Sequence, residues 1–140
     1  MKKLILIFIT LTFFSCTKKQ EKLELFSEEA FAFYLEESWE LNASARVKGF
    51  TQVEDDDDNY NAKLSYTINL ITPAADTLSD VDYGLMDETR EEEMMDLPLE
   101  TQIEIDSSFA VGKYKIVFIV DDNLSQRTVT AEKEFELTKE

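Results

Sequence analysis

The sequence predicts an all-β protein, an antiparallel β-sandwich of about seven strands. Apolar residues recur with a period of two in most segments after residue 30. Turn-forming residues separate these segments, and the strands do not alternate with helices as they do in α/β proteins. The chain of 140 residues is long enough for one domain with a single hydrophobic core.

The first three predicted strands precede Pro73. Residues 31–36 alternate between more and less apolar side chains, although Ser27-Glu28-Glu29 just before them could also start a short helix. The alternation is clearest in residues 39–47, and it is repeated in residues 62–70. Pro73 ends the third strand because proline cannot donate a hydrogen bond within a sheet.

Residues 85–96 interrupt this pattern. They are rich in methionine and acidic residues and are followed by Pro98, which predicts either a short acidic helix or a long acidic loop. A weaker strand precedes them at residues 77–83. The period of two then returns in three segments, which are residues 99–105, 114–120 and 129–137.

The N-terminus has the composition of a signal peptide. Two lysines follow the first methionine, an apolar run extends from Leu4 to Phe14, and the small residue Ser15 precedes Cys16. The run is too short to span a membrane as a mature helix. The end of the segment, Ser15 followed by Cys16, resembles the lipobox of bacterial lipoproteins, in which the cysteine is lipidated and becomes the new N-terminus. The resemblance implies that residues 1–15 are removed and that lipid on Cys16 attaches the protein to a membrane.

Two alternatives to a lipoprotein signal stay open. One is an ordinary secretory peptide with an incidental cysteine, and the other is a buried apolar N-terminal element.

Lipid on Cys16 would attach the protein firmly. Each buried methylene of a lipid contributes about 0.8 kcal/mol, so the two or three chains of a bacterial lipoprotein give lasting attachment. Thr17 rather than aspartate follows Cys16, which resembles lipoproteins sorted to the outer membrane. The expected location is therefore the cell envelope, at the outer membrane.

We predict that residues 16–26 are the lipidated cysteine and its tether, and that residues 27–140 are the folded domain. The polar residues 17–24 reach at most about 27 Å, so the domain would lie close to its membrane. Without Lys2 and Lys3 the chain has 12 basic and 30 acidic residues, a formal charge of −18. This charge makes nucleic acid a poor partner.

The segment from Phe109 to Asp122 has Gly112 ahead of Tyr114 and ends in aspartate. It resembles the penultimate strand of immunoglobulin-like and fibronectin-type-III-like domains. The resemblance is best over residues 99–137, and it implies that Tyr114 folds back to hydrogen-bond backbone upstream. It specifies a fold and not a function.

The composition offers little for catalysis. The absence of histidine excludes Ser-His-Asp triads and histidine-ligated zinc sites, and the three glycines are not clustered into a phosphate-binding loop. The many acidic residues supply pairs too freely for any one pair to indicate a glycosidase. We therefore expect no enzymatic activity and no cofactor.

The acidic run at residues 54–59 has some features of a metal site. Asp55, Asp57 and Asn59 place oxygens at alternate positions, as the start of a calcium loop does. Tyr60 stands where such a loop needs glycine, and Tyr66 where it needs a bidentate glutamate. We interpret the run as a solvated hairpin tip, with a loose calcium site as the alternative.

The sequence predicts a binding or accessory module that is anchored in the envelope and recognises an envelope protein. Val117 and Ile119 are the candidate partner-binding residues, because they would form a second apolar face on their strand. The interpretation we favour over an exposed patch is that Leu23, Leu25 and Phe26 cover them, because apolar surface near at hand usually finds its own partner. Two other functions are an inhibitor of an envelope enzyme and a glycan-binding subunit, for which Tyr60 and Tyr83 would supply coplanar aromatic rings.

Overall fold

Eight β-strands form the fold in the computed structural model, which describes residues 19–140. The predicted signal peptide and Cys16 lie outside the described residues. No helix occurs between residues 19 and 140. The strands are β1 (Glu24–Tyr34), β2 (Ser38–Lys48), β3 (Val53–Glu54), β4 (Tyr60–Ile71), β5 (Thr77–Arg90), β6 (Leu97–Asp106), β7 (Gly112–Asp122) and β8 (Arg127–Leu137).

The strands form two antiparallel sheets. The smaller sheet has the order β1-β2-β6. The larger has the order β5-β4-β7-β8, and the two-residue strand β3 pairs with the first residues of β4. Buried side chains from both sheets form one core. The predicted antiparallel sandwich of about seven strands is confirmed, with β3 as a short additional strand.

Alternation along the strands determines which side chains enter the core. In β2 the residues Trp39, Leu41, Ala43, Ala45 and Val47 are buried, and those between them face solvent in whole or in part. The indole Nε1 of Trp39 donates a hydrogen bond to the Thr138 carbonyl at 2.8 Å. A fully buried tryptophan thus has its one polar atom satisfied, as burial requires.

The start of β7 has the corner that the sequence predicted. Tyr114 is 2% exposed, and its hydroxyl donates to the Ala110 carbonyl at 2.7 Å. Its ring stacks on that of Phe135 in β8, with 5.6 Å between the ring centroids. The bond joins the loop before β7 to the core.

Strand β1 begins earlier than predicted, and Phe31 and Phe33 in its second half face outward. Residues 24–26 belong to this strand and not to a tether, since Leu25 is 7% exposed and lies in the core. A β-bulge with Ser27 at φ 54° shifts the pairing with β2 between Phe26 and Glu29. Beyond the bulge, alanines face the core, whereas Phe31 is 48% exposed. The possible helix start at Ser27 is therefore wrong.

The predicted acidic helix or loop at residues 85–96 is also corrected. Residues 85–90 extend β5, which pairs with β4 from Tyr60 to Ile71. Only residues 91–96 form a loop. Gly84 permits this pairing, because a Cβ there would lie 2.7 Å from the ring of Tyr66 in β4. The strand is irregular near Asp80, which has φ 55°.

Candidate functional site

The first described residues are held against one end of the sandwich by a polar cluster. Arg127 donates from Nη1 to the Glu21 carbonyl at 2.9 Å and from Nη2 to the Gly49 carbonyl at 2.8 Å. Its Nη2 also lies 3.1 Å from the Asp122 carboxylate. We refer to Gly49, Thr51, Asp122 and Arg127 as the Arg127 cluster.

Asp122 is the centre of the Arg127 cluster. Its side chain is fully buried and accepts hydrogen bonds from the backbone N–H of Thr51 at 2.7 Å and of Leu124 at 3.1 Å. Burial raises the pKa of this carboxyl, but hydrogen bonds from Thr51, Ser125 and Leu124 outweigh burial, and the pKa lies below the ordinary 3.8. The buried carboxylate is therefore charged at neutral pH, and its partners compensate that charge.

Gly49 brings the N-terminal segment close to the cluster. It has φ +72°, and a Cβ on it would lie 1.9 Å from the Lys22 carbonyl oxygen. The amide of Gln20 donates to the Thr51 hydroxyl at 3.0 Å, and Leu23 is buried in the core. Residues 20–23 therefore pack on the domain, and the free part of the predicted tether is shorter than its sequence indicated.

A cavity of about 540 Å³ lies beside this N-terminal segment. Its lining includes Phe50, Tyr60 and Met94, and the side-chain amide of Gln52 holds the Met94 backbone through two hydrogen bonds, at 2.7 and 2.9 Å. Tyr60 packs against the core, whereas Tyr83 lies on the outward face of β5 and is 75% exposed. The structure thus does not place these two tyrosines on one glycan-binding platform.

The calcium candidates lie in an exposed loop between β3 and β4, as expected for a hairpin tip. One carboxylate oxygen of Asp55 accepts from the backbone N–H of Asp57 at 2.9 Å and of Asn59 at 3.0 Å, and the other accepts from the Asn61 amide at 3.0 Å. Hydrogen bonds, first that from Asn61, lower the pKa of Asp55. The carboxylate therefore shapes the loop. Within residues 19–140, no three acidic, histidine or cysteine side chains are arranged to hold a metal ion.

The predicted partner-binding residues lie on the outward face of the larger sheet. Val117 is 9% exposed and does not belong to the core cluster, and Ile119 is half-buried. The ion pair between Lys115 and Glu132, with 3.6 Å between Nζ and Oε2, lies beside Val117 on this face. Leu23, from the segment that was expected to cover them, is part of the core instead.

A more exposed apolar surface occurs on β1, and sequence reasoning did not single it out. Phe31, Phe33 and Leu35 are 48%, 55% and 54% exposed, and we refer to them as the β1 stripe. The two phenylalanine rings meet edge to face with centroids 5.4 Å apart. A shallow groove of about 450 Å³ borders Phe31, with Asn42 and Gln102 in its lining. The alternation of phenylalanine with alanine was the available signal, but it does not tell which set faces the core.

No helix in the described part of the chain is long and apolar enough to cross a membrane. The candidate surfaces for a function are the N-terminal segment held at one end of the sandwich, the adjacent cavity, and the β1 stripe with its groove. No protein-family model and no curated protein matches this sequence.

Proposed function

We propose that this protein is a bacterial lipoprotein, anchored to the outer membrane through lipid on Cys16, whose domain binds another envelope protein without catalysing a reaction. The observation that carries the binding role is the β1 stripe. Large apolar side chains that adjoin one another on a surface commonly mark an interaction site. Phe31 and Phe33 are about half exposed on one strand with their rings in contact, and Leu35, which is equally exposed, follows directly after that strand.

The strand order and one hydrogen bond support an immunoglobulin-like or fibronectin-type-III-like domain. Three strands in the order β1-β2-β6 face four in the order β5-β4-β7-β8, and the chain crosses between the sheets after β2, β5 and β6. The hydroxyl of Tyr114 bonds to the Ala110 carbonyl, as the tyrosine corner of such domains does. The fold supplies a scaffold, and the function depends on the surface it presents.

The Arg127 cluster supports a defined placement of the domain at the membrane. It holds residues 20–23 at the end of the sandwich where β1 begins. Lipid on Cys16 would therefore bring this end to the membrane surface. The outward faces of both sheets would stay accessible to a partner in the envelope.

The anchor is tested by growing a two-membrane bacterium that produces the full chain with labelled palmitate. We expect label on the protein and recovery in the outer-membrane fraction, and neither for Cys16→Ser. Unlabelled wild-type protein, or Cys16→Ser that still fractionates with the membrane, would contradict the lipoprotein assignment.

The binding role is tested by placing a photoreactive amino acid at position 33 in the same cells. We expect one discrete crosslinked product. The control is the same photoreactive amino acid at the position of Tyr83, which is more exposed than Phe33 and lies on the other sheet. Equal crosslinking at both positions, or none at position 33, would remove the support for a partner on the β1 stripe.

A further inference from the structure

Charge is unevenly distributed on the outward face of the smaller sheet. The pairing register places side chains of β1, β2 and β6 in rows across this face. The three rows nearest the β1–β2 turn that cross all three strands contain four carboxylates and no lysine or arginine. They are Glu29–Ser44–Glu100, Phe31–Asn42–Gln102 and Phe33–Glu40–Glu104.

Two rows at the other end of the same face, Phe26–Arg46–Pro98 and Glu24–Lys48, contain their own cations. Lys48 Nζ lies 5.1 Å from the centroid of the Phe26 ring and 3.7 Å from the Glu24 carboxylate. Arg46, opposite Phe26, pairs with Asp96. A phenylalanine beside a glutamate on this face is thus complemented by a cation over the ring, a favourable arrangement.

Phe31 and Phe33 also lie near glutamates on this face, but no lysine or arginine of these rows lies opposite them. The residue opposite Phe31 is Asn42, and the residue opposite Phe33 is Glu40. The Asn42 amide donates to the Glu40 carboxylate at 3.0 Å, and hydrogen bonds from Asn42 and then Gln102 lower the pKa of Glu40. Glu40 is therefore held in place and ionised beside an exposed aromatic ring.

The groove beside Phe31 combines an aromatic wall with carboxylates. Phe31 contributes an aromatic surface, and Glu29 and Glu100 contribute carboxylates from β1 and β6. A volume of about 450 Å³ accommodates a long side chain. Lysine and arginine combine an apolar stem with a cationic head, so they fit an aromatic wall that ends in carboxylates.

We propose that this face binds a basic, extended segment of a partner protein, whose lysine or arginine side chains stack on Phe31 and Phe33 and pair with Glu29, Glu40 and Glu100. The inference rests on the proposed role in binding an envelope protein, and it names the chemistry of that partner. A second copy of this chain is a poor occupant, because its own carboxylates would face these and repel them.

The test measures binding of a short fluorescent peptide of alternating arginine and leucine to the full chain in a nonionic detergent, by fluorescence anisotropy. We expect saturable binding that Phe31→Ser/Phe33→Ser weakens at least about tenfold. The matched control is Tyr83→Ser/Leu85→Ser, which changes two exposed apolar residues two positions apart on the other sheet. This control should bind like wild type.

A second pair of variants separates local recognition from general charge attraction. Glu29→Gln/Glu40→Gln should weaken binding and reduce its dependence on salt. Asp56→Asn/Asp57→Asn, which removes two charges from the exposed loop after β3, should change binding less than twofold. Equal weakening by both pairs, or equal binding of a peptide of alternating glutamate and leucine, would overturn the proposal.

Chemical shifts of wild-type protein provide a measurement that does not depend on the folding of any variant. Peptide addition should shift amide resonances of β1, β2 and β6, and shifts confined to other strands would overturn the proposal. A chain that incorporates palmitate but does not bind the peptide refutes this inference alone. A chain that binds the peptide without incorporating palmitate refutes the anchor alone.

Discussion

Replacement of Asp122 by alanine should destabilise the domain strongly, because this side chain is fully buried and charged. The substitution leaves the Thr51 N–H without its acceptor and removes the carboxylate that compensates the charge of Arg127, which keeps its bonds to the Glu21 and Gly49 carbonyls. Removing one partner of a buried pair costs about 3–5 kcal/mol. Arg127 keeps 26% of its side chain exposed and regains some hydration. We therefore expect the lower end of this range, a loss of about 3 kcal/mol.

Urea unfolding, followed by the fluorescence of Trp39, measures this loss. Trp39 is the only tryptophan and is fully buried, so its emission reports on the core. For a domain of this size, 3 kcal/mol corresponds to a decrease in Tm of about 10–15 °C. The matched control is Asp121→Ala. Within residues 19–140 this neighbouring carboxylate bonds only to the Thr128 hydroxyl, at an exposed position, and its removal should cost at most about 1 kcal/mol. Equal losses for the two variants would refute the reasoning.

Three further predictions concern the same core and cluster. Tyr114→Phe removes the bond to the Ala110 carbonyl and should cost about 1 kcal/mol in urea unfolding; an unchanged midpoint would contradict the corner's role. The lowered pKa of Asp122 means that its stabilisation is present at neutral pH and is lost as the pH falls below its ordinary value of 3.8 and through the folded pKa. Asp122→Asn should therefore flatten the acid side of a stability–pH curve, and an unaltered curve would argue against this. Gly49→Ala would place a Cβ 1.9 Å from the Lys22 carbonyl, so it should increase hydrogen exchange in residues 20–23, and unchanged protection there would show that the close approach is not needed.

Alternation predicted the strands that have one face on the core, and β2 is the clearest case. Its five inward residues are buried, so the pattern and the packing agree. The bond of Tyr114 to the backbone was implied by the resemblance to immunoglobulin-like domains, and its partner Ala110 lies only four residues away. The alternation itself was sufficient where one strand had a single face on the core.

The alternation in β1 did not predict which side chains are exposed, because it does not specify which of the two alternating sets faces the core. A one-residue change in register moves every side chain of a strand to the opposite face. The bulge at Ser27 makes that change here, so alanines face the core and phenylalanines face solvent. The β1 stripe could not be assigned to the surface without knowing where the bulge lies.

Residues 85–90 were misassigned because their composition favours a helix, but pairing with β4 prevails. An edge strand tolerates acidic side chains, since one of its faces and one of its edges meet water.

The Arg127 cluster was not predicted from the sequence for another reason. Its hydrogen bonds join residues up to 106 positions apart. Periodic patterns in a sequence carry no information about contacts between residues so far apart.

Strand β5 also has a consequence for how the protein behaves in concentrated solution. It pairs only with β4 among the described strands, so its other edge presents backbone groups to which a strand of another molecule could add. The irregularity at Asp80 and the carboxylates of Asp87 and Glu88 lie along this strand. Bends and charges of this kind oppose edge-to-edge aggregation. The acidity that first suggested a helix thus serves as protection against the formation of intermolecular sheets.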